Sequence, residues 1–151
     1  MPSDRNLPER CVEALAGPLR PLAFRALKLL GVEFPAGVVR GQRLRLAHGA
    51  VGLVVHPAVE FGDDVKLYQG VTLGRSDVHL PSSVSKPGGG IIIGDRVVIG
   101  AGAVVLFRSG HILRVGDDAV IGANAVVLAD VPAGEAWAGN PARRVAASAV
   151  V

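Results

Sequence analysis

The side chains best suited to chemistry in this 151-residue chain are four histidines, His48, His56, His79 and His111, and a single cysteine, Cys11. Imidazole titrates near working pH, so one histidine can both take a proton and return it. One cysteine excludes an intrachain disulfide and a cysteine-based metal site. Cys11 stands in no recognisable nucleophile motif, which leaves an acyl-enzyme with little support. Asp77, His79 and Lys86 fall together in one polar stretch, residues 75–90, with prolines and glycines around them. Loops that project from a rigid scaffold are where function is expected.

The scaffold is written in a six-residue repeat. Ile93-Gly94-Asp95-Arg96-Val97-Val98 is followed by Ile99-Gly100-Ala101-Gly102-Ala103-Val104, and the block Val115 to Val120 by Ile121 to Val126. An earlier block places Val55, Phe61, Leu67 and Leu73 six apart, with Val59, Val65 and Val71 at the fifth positions. A fixed short period predicts a stacked, quasi-one-dimensional fold. Three hexads make one triangular coil of about eighteen residues, whose small fifth positions can point inward. Gly62-Asp63-Asp64, Gly94-Asp95 and Gly116-Asp117-Asp118 are turn signals between short strands. Composition agrees: 50% of the chain is hydrophobic but only 4% aromatic. That favours many equivalent aliphatic layers over a few large anchors.

Two stretches break the period. Residues 75–90 form the longer excursion, for which a functional role is expected. Residues 107–111 form the shorter one, expected to be an ordinary solvated loop. Residues 8–30 read as one or two short helices. Val12, Leu15 and Ala16 fit one face of the first, while Leu22, Phe24, Leu27, Leu29 and Leu30 form the apolar set of the second. The expected division is a helical cap over residues 1–32, a coil domain over 33–145 and a tail over 146–151. The cap covers the open end of the stack; a basic amphipathic segment lying on a membrane is the sharper alternative. Flat aliphatic faces argue for self-association, and a homotrimer suits a three-sided prism.

Several classes are disfavoured. The net charge is +3 and the pI about 9.6, yet the arginines form no dense run, so nucleic acid is not expected as a partner. Residues 1–10 are polar and lack the apolar core of a signal peptide. No uncharged stretch reaches transmembrane length. A cytoplasmic setting follows as the expectation.

The stretch Leu46-Ala47-His48-Gly49-Ala50-Val51-Gly52-Leu53-Val54-Val55, then Leu67-Tyr68-Gln69-Gly70-Val71-Thr72-Leu73-Gly74, resembles the hexapeptide-repeat acyltransferases. Among them it is most similar to the serine O-acetyltransferase branch and its sugar-modifying relatives. The closing Ala138-Gly139-Asn140-Pro141-Ala142-Arg143 resembles that family's Ala-Gly-x-Pro-Ala-Arg/Lys element. Together these motifs cover residues 33–145. The resemblance implies an all-β solenoid, a left-handed parallel β-helix behind the short helical segment. This hand is an exception to the right-handed rule for parallel crossovers.

The resemblance also implies roles. His48 stands where the family carries its general base, with Glu33, fifteen residues earlier, as the acid that fixes its tautomer. The function implied is acetyl-CoA-dependent O-acetylation of a small hydroxyl acceptor, either a serine-like amino acid or a sugar. Serine acetyltransferases carry a second histidine in a His-Pro step. Here the comparable step is Lys86-Pro87, so Lys86 as a cation or His79 would meet the acceptor, with Asp77 beside them. Gly70 or Gly74 would offer an N–H to the oxyanion. Acetyl-CoA, the acyl donor, is expected in a groove between subunits, along Gly74, Gly100, Ala101, Gly122 and Ala123. Ala138 and Gly139 would lie near its adenine, and Arg143 or Arg144 near its phosphates. Trp137 either covers the adenine or packs the C-terminal cap. No metal is expected: a γ-class carbonic anhydrase shares the coil but needs histidines five apart, and none are. The rival reading is a catalytically silent trimeric scaffold or binding module.

Overall fold

The computed structural model describes residues 5–146. Of the tail expected at 146–151, residues 147–151 lie outside the described residues. Two helices come first, α1 (Leu7–Ala14) and α2 (Arg20–Leu29). Three sheets follow, visited in rotation. The first holds β1 (Val39–Arg40), β4 (Val59–Phe61), β7 (Gly90–Ile93) and β10 (Ile112–Val115). The second holds β2 (Arg45–Leu46), β5 (Lys66–Leu67), β8 (Val98–Ile99), β11 (Val120–Ile121), β13 (Ala136–Gly139) and β14 (Ala142–Val145). The third holds β3 (Val54–Val55), β6 (Thr72–Arg75), β9 (Val104–Phe107) and β12 (Val126–Val127). Every pairing between these strands is parallel except β13 with β14, an antiparallel pair that ends the stack.

The register shows where the coil is regular and where it is not. Val54 pairs with Thr72, eighteen residues on, the length three hexads predict. Val39 pairs with Glu60, three residues longer, because the segment Ala47–Ala50 is inserted between β2 and β3. Glu60 pairs with Ile92, and Ile92 with Arg114, the excess being the two excursions. Inside, each rung aligns like side chains. Leu46, Leu67, Ile99 and Ile121 follow one another in the second sheet, all 0–1% exposed. Val59, Val65 and Val71, the fifth positions, are equally buried.

The corner between the first and second sheets explains the Gly-Asp signals. Asp63 Oδ1 accepts the Gln42 N–H at 2.7 Å, Asp95 Oδ1 the Asp63 N–H at 2.8 Å, and Asp117 Oδ1 the Asp95 N–H at 2.9 Å. A Cβ on Gly62 would lie 2.3 Å from Asp95 Oδ1, and one on Gly94 2.2 Å from Asp117 Oδ1, so only glycine fits beneath each carboxylate. Beside this ladder, Arg43 pairs with Asp64 and Arg96 with Asp118 on the exposed surface.

The helices depart from expectation in detail. Val12, Leu15, Ala23 and Leu27 are buried, but Leu22 and Leu29 of the expected apolar set face outward at 66% and 90% exposure. A ten-residue helix buries one stripe, and Ala23 with Leu27, four apart, takes it. Glu9 holds α1 to the coil. In a capping box it exchanges hydrogen bonds with Asn6. It also accepts the Leu46 N–H at 2.8 Å and pairs with Arg45 at 3.1 Å. It is 4% exposed, and a buried carboxylate persists only when its oxygens are satisfied in this way. No helix among the described residues is long and apolar enough to cross a membrane.

Candidate active site

The inserted segment Ala47–Ala50 sets the geometry of the corner between the second and third sheets. His48 has φ 52 and ψ 32, and Gly49 and Ala50 follow at φ 70 and φ 49. The other left-handed non-glycine residues of the coil, Arg43, Asp64, Arg96, Asp118 and Asn124, are single turn positions. Three in succession, two of them bearing a Cβ, are different. Each such residue costs on the order of 1–3 kcal/mol and persists only where its surroundings over-determine it. The outcome is that the His48 side chain stands exposed at the corner, its ring 5.8 Å from that of Tyr68. Lys66 Nζ lies 4.9 Å over the same tyrosine ring. Neither Tyr68 nor Lys66 is legible in the sequence as a site residue, because outward-facing residues of the coil carry no periodic signal of their own.

The same corner gathers small residues expected along the donor. The Tyr68 N–H donates to Ile99 O, the Gly100 N–H to Ile121 O, and the Gly122 N–H to Trp137 O. Hence Gly100-Ala101, Gly122-Ala123 and Ala138 follow His48 and Tyr68 rung by rung along one edge. Gly52, Gly70 and Gly102 stack in that edge, where a Cβ on Gly52 would sit 3.4 Å from Gly70 Cα. At the far end, Trp137 pairs with Arg144 across the closing hairpin, and Ala138 with Arg143. Trp137 Nε1 donates to Glu135 at 2.8 Å, and Arg144 makes an ion pair with the same carboxylate. Among the described residues Arg143 makes no ion pair, which leaves it as the freer cation of the two.

Several expected residues stand elsewhere. Glu33 does not hydrogen-bond His48. Its exposed carboxylate pairs with Lys28 at 3.2 Å, because Glu33 begins the rung beside Val54 and next to the end of α2. Gly70 spends its N–H on Val51 O at 2.9 Å, so it has no donor free for an oxyanion. Gly74 lies within β6, paired with Leu106, on the far side of the third sheet from His48.

The long excursion leaves from that far side, the corner between the third and first sheets. Asp77, expected beside the acceptor, is 8% exposed. Its carboxylate accepts the Ser109 hydroxyl at 2.9 Å and the Ser109 N–H at 3.2 Å. The short loop is therefore a clasp for the long one, not an ordinary solvated loop. His79 and Lys86 are exposed on the excursion. His56, at the same corner, packs edge-on against Phe107 at 5.1 Å and accepts the Ala58 N–H at its Nδ1. Burial, then the nearby Arg75 charge, pushes its pKa down, so it is neutral at pH 7. His111 is exposed.

The clasp predicts a pH dependence. The Ser109 hydroxyl holds the Asp77 carboxyl below the usual carboxylate range, against the opposing effect of burial, with the Ser109 N–H and Arg75 adding to it. A depressed folded-state pKa stabilises above the unfolded value and is lost as pH falls through the folded one. Asp77→Asn should open residues 78–88 to proteolysis at neutral pH. The wild-type chain should open only below about pH 3.9, the ordinary aspartate value. Equal cleavage of both at pH 7 would remove Asp77 from this role.

The comparisons agree with this architecture. A family model described as the hexapeptide repeat of succinyl-transferase matches residues 82–106 and 112–132. A serine acetyltransferase of Mycobacterium tuberculosis is 45% identical over 78 residues, 52% of this chain and 31% of that protein. One of Helicobacter pylori is 42% identical over 126 residues, 83% of this chain and 67% of that protein. Among solved structures, the soybean serine acetyltransferase apoenzyme superposes with a TM-score of 0.70 at 32% identity, over 92% of this chain and 55% of that one. The Neisseria gonorrhoeae enzyme in complex with serine gives 0.70 at 30%, over 93% and 54%. A serine acetyltransferase complex with CoA gives 0.67 at 29%, over 92% and 54%. The chain thus spans about half the length of these solved enzymes and about a third of the mycobacterial one. Coiled hexads, the histidine corner and 42% identity across two thirds of a whole relative place this chain in the serine acetyltransferase family of hexapeptide-repeat acyltransferases.

Proposed function

We propose that this chain is an acetyl-CoA-dependent O-acetyltransferase acting on a small hydroxyl acceptor, built as a left-handed parallel β-helix that works as a homotrimer. The observation that carries the reading is His48, held outward by a strained segment at the head of an edge of small residues. Relatives solved with CoA and with serine support the donor and the acceptor class.

In the proposed step the His48 imidazole takes the acceptor's hydroxyl proton. The oxygen attacks the thioester carbonyl, and the tetrahedral intermediate collapses as the C–S bond breaks. The imidazolium then gives its proton to the CoA thiolate, leaving an acetyl ester and free thiol. To fix the His48 tautomer, Glu33 would exchange Lys28 for the imidazole. An exposed ion pair of this kind holds by only about 0–1 kcal/mol, so the exchange is cheap. The donor would lie along Gly100, Ala101, Gly122, Ala123 and Ala138, with Gly139 and Arg143 at the nucleotide end.

Within one chain the histidine corner and the excursion stand on opposite edges of the third sheet. The outer face between them carries Val54, Thr72, Val104, Leu106, Val126 and Leu128, with Glu33 as the charge at its first rung, beside Val54. A second copy packed on this face would bring its excursion, with His79 and Lys86, toward the first copy's His48. The helices of residues 1–32 cap the coil of 33–145, and the setting is cytoplasmic.

The test is release of free CoA thiol from acetyl-CoA, with L-serine, homoserine, sugars and amino sugars as acceptors. Thiol release that requires one acceptor is expected. Failure of acetyl-CoA to bind at all would favour the silent scaffold, and a covalent acyl-protein formed from donor alone would overturn direct transfer.

A further inference from the structure

We propose that the Tyr68 hydroxyl donates the hydrogen bond that holds the oxyanion of the tetrahedral intermediate; this rests on the acyl-transfer reading. Gly100, Gly122 and Ala138 form one row along the histidine's edge, because Ile99 pairs with Ile121 and Ile121 with Trp137. Leu67 pairs with Ile99, so Tyr68 is the next member of that row. It stands one rung of about 4.8 Å before Gly100, on the side of His48. Acetyl-CoA that follows the row from Ala138 passes two glycines and meets its first large side chain at the rung beside the base. Its thioester then comes to lie between the phenol and the imidazole.

The distances suit that arrangement. The two ring centres are 5.8 Å apart and the rings are inclined at 46°. An acceptor oxygen bonded to His48 stands about 3 Å from the imidazole, and the oxyanion needs a donor at about 2.7–3.1 Å. One tetrahedral carbon joins those two oxygens, so base and donor must flank a single small group. Tyr68 is half-buried, and its hydroxyl is neither bonded to another described residue nor shut away from solvent. The backbone groups expected in this role are not free for it. The Gly70 N–H is bonded to Val51 O, and Gly74 stands on the far side of the third sheet.

Lys66 adds to the site. Its Nζ lies 4.9 Å over the Tyr68 ring, and it makes no ion pair among the described residues. The ammonium is attracted to the π face and steadies the ring. Its uncancelled charge also favours the negative charge that develops at this corner. The hydroxyl keeps its proton throughout. As the C–O bond forms, the carbonyl electrons move onto the oxygen that Tyr68 holds, and they return as the C–S bond breaks.

The test is steady-state thiol release from acetyl-CoA by the full chain and by Tyr68→Phe, with L-serine, homoserine and the sugars as acceptors in turn. Phenylalanine keeps the ring, its place beside His48 and the lysine above it, so the melting temperature should not change. The kcat should fall about 10²–10³-fold, the loss produced by removing one oxyanion donor, while KM for acetyl-CoA stays as in the wild type. A packing role alone would not split the two constants in this way. A kcat retained in Tyr68→Phe, or a loss that lies wholly in KM, would overturn the assignment and leave the acyl-transfer reading in place. Absence of transfer by the wild type with every acceptor would remove that reading and the assignment together.

Discussion

His48→Ala should lower acetyl transfer by roughly 10²–10⁴-fold, the range that a positioned general acid–base contributes. The protein should keep its melting temperature and its assembly state. His48 is exposed and forms no hydrogen bond with its imidazole among the described residues, so no packing is lost with it. The backbone is the remaining concern, because residue 48 has φ 52. Alanine is already tolerated two residues later at φ 49. His48→Asn provides a second variant, since asparagine visits the left-handed region readily and retains a polar group without the titration. Both should fail alike in steady-state turnover while binding acetyl-CoA as the wild type does. Undiminished turnover in either would transfer the base role to another group, His79 being next in order.

The largest loss of stability is expected inside the coil. Ile99→Ala should cost about 2–5 kcal/mol, and Ile99→Val about 0.5–1.5 kcal/mol. Ile99 is fully buried and has a rung on either side, Leu67 above and Ile121 below. Each rung of a stacked fold touches only its neighbours, so a cavity there weakens two interfaces at once and has no flexible segment to collapse into. Denaturant titrations at one fixed protein concentration would measure both, because subunit association adds its own concentration dependence. An Ile99→Ala cost no larger than that of Ile99→Val would mean that the layer can close around the gap.

The period carried most of the fold. First and fifth hexad positions from Val55 to Ile121 point inward because parallel rungs repeat one environment, and a repeated environment leaves a repeated sequence. The Gly-Asp turns were legible for the same reason, although their purpose, a carboxylate seated over each glycine, was not. The second helix is less legible. Its five apolar residues do not all fit one stripe, and which of them is buried depends on what the helix lies against. The anchoring role of Glu9 is not legible in sequence because nothing local separates a buried carboxylate from a solvated one.

The chemistry divides along the same line. By itself the sequence determined the coil, the two places where it is interrupted, and His48 as the residue to test, since each is written within a few consecutive residues. Only the tertiary structure decided what those residues meet. It ranged Gly100, Ala101, Gly122 and Ala123 along the histidine's own edge. It tied Asp77 to Ser109 and Glu33 to Lys28, and set Tyr68 beside His48. Spacing in a sequence fixes the face and the rung of a side chain. Partners come from neighbouring rungs, loops and helix ends, whose approach depends on the lengths of the insertions between them.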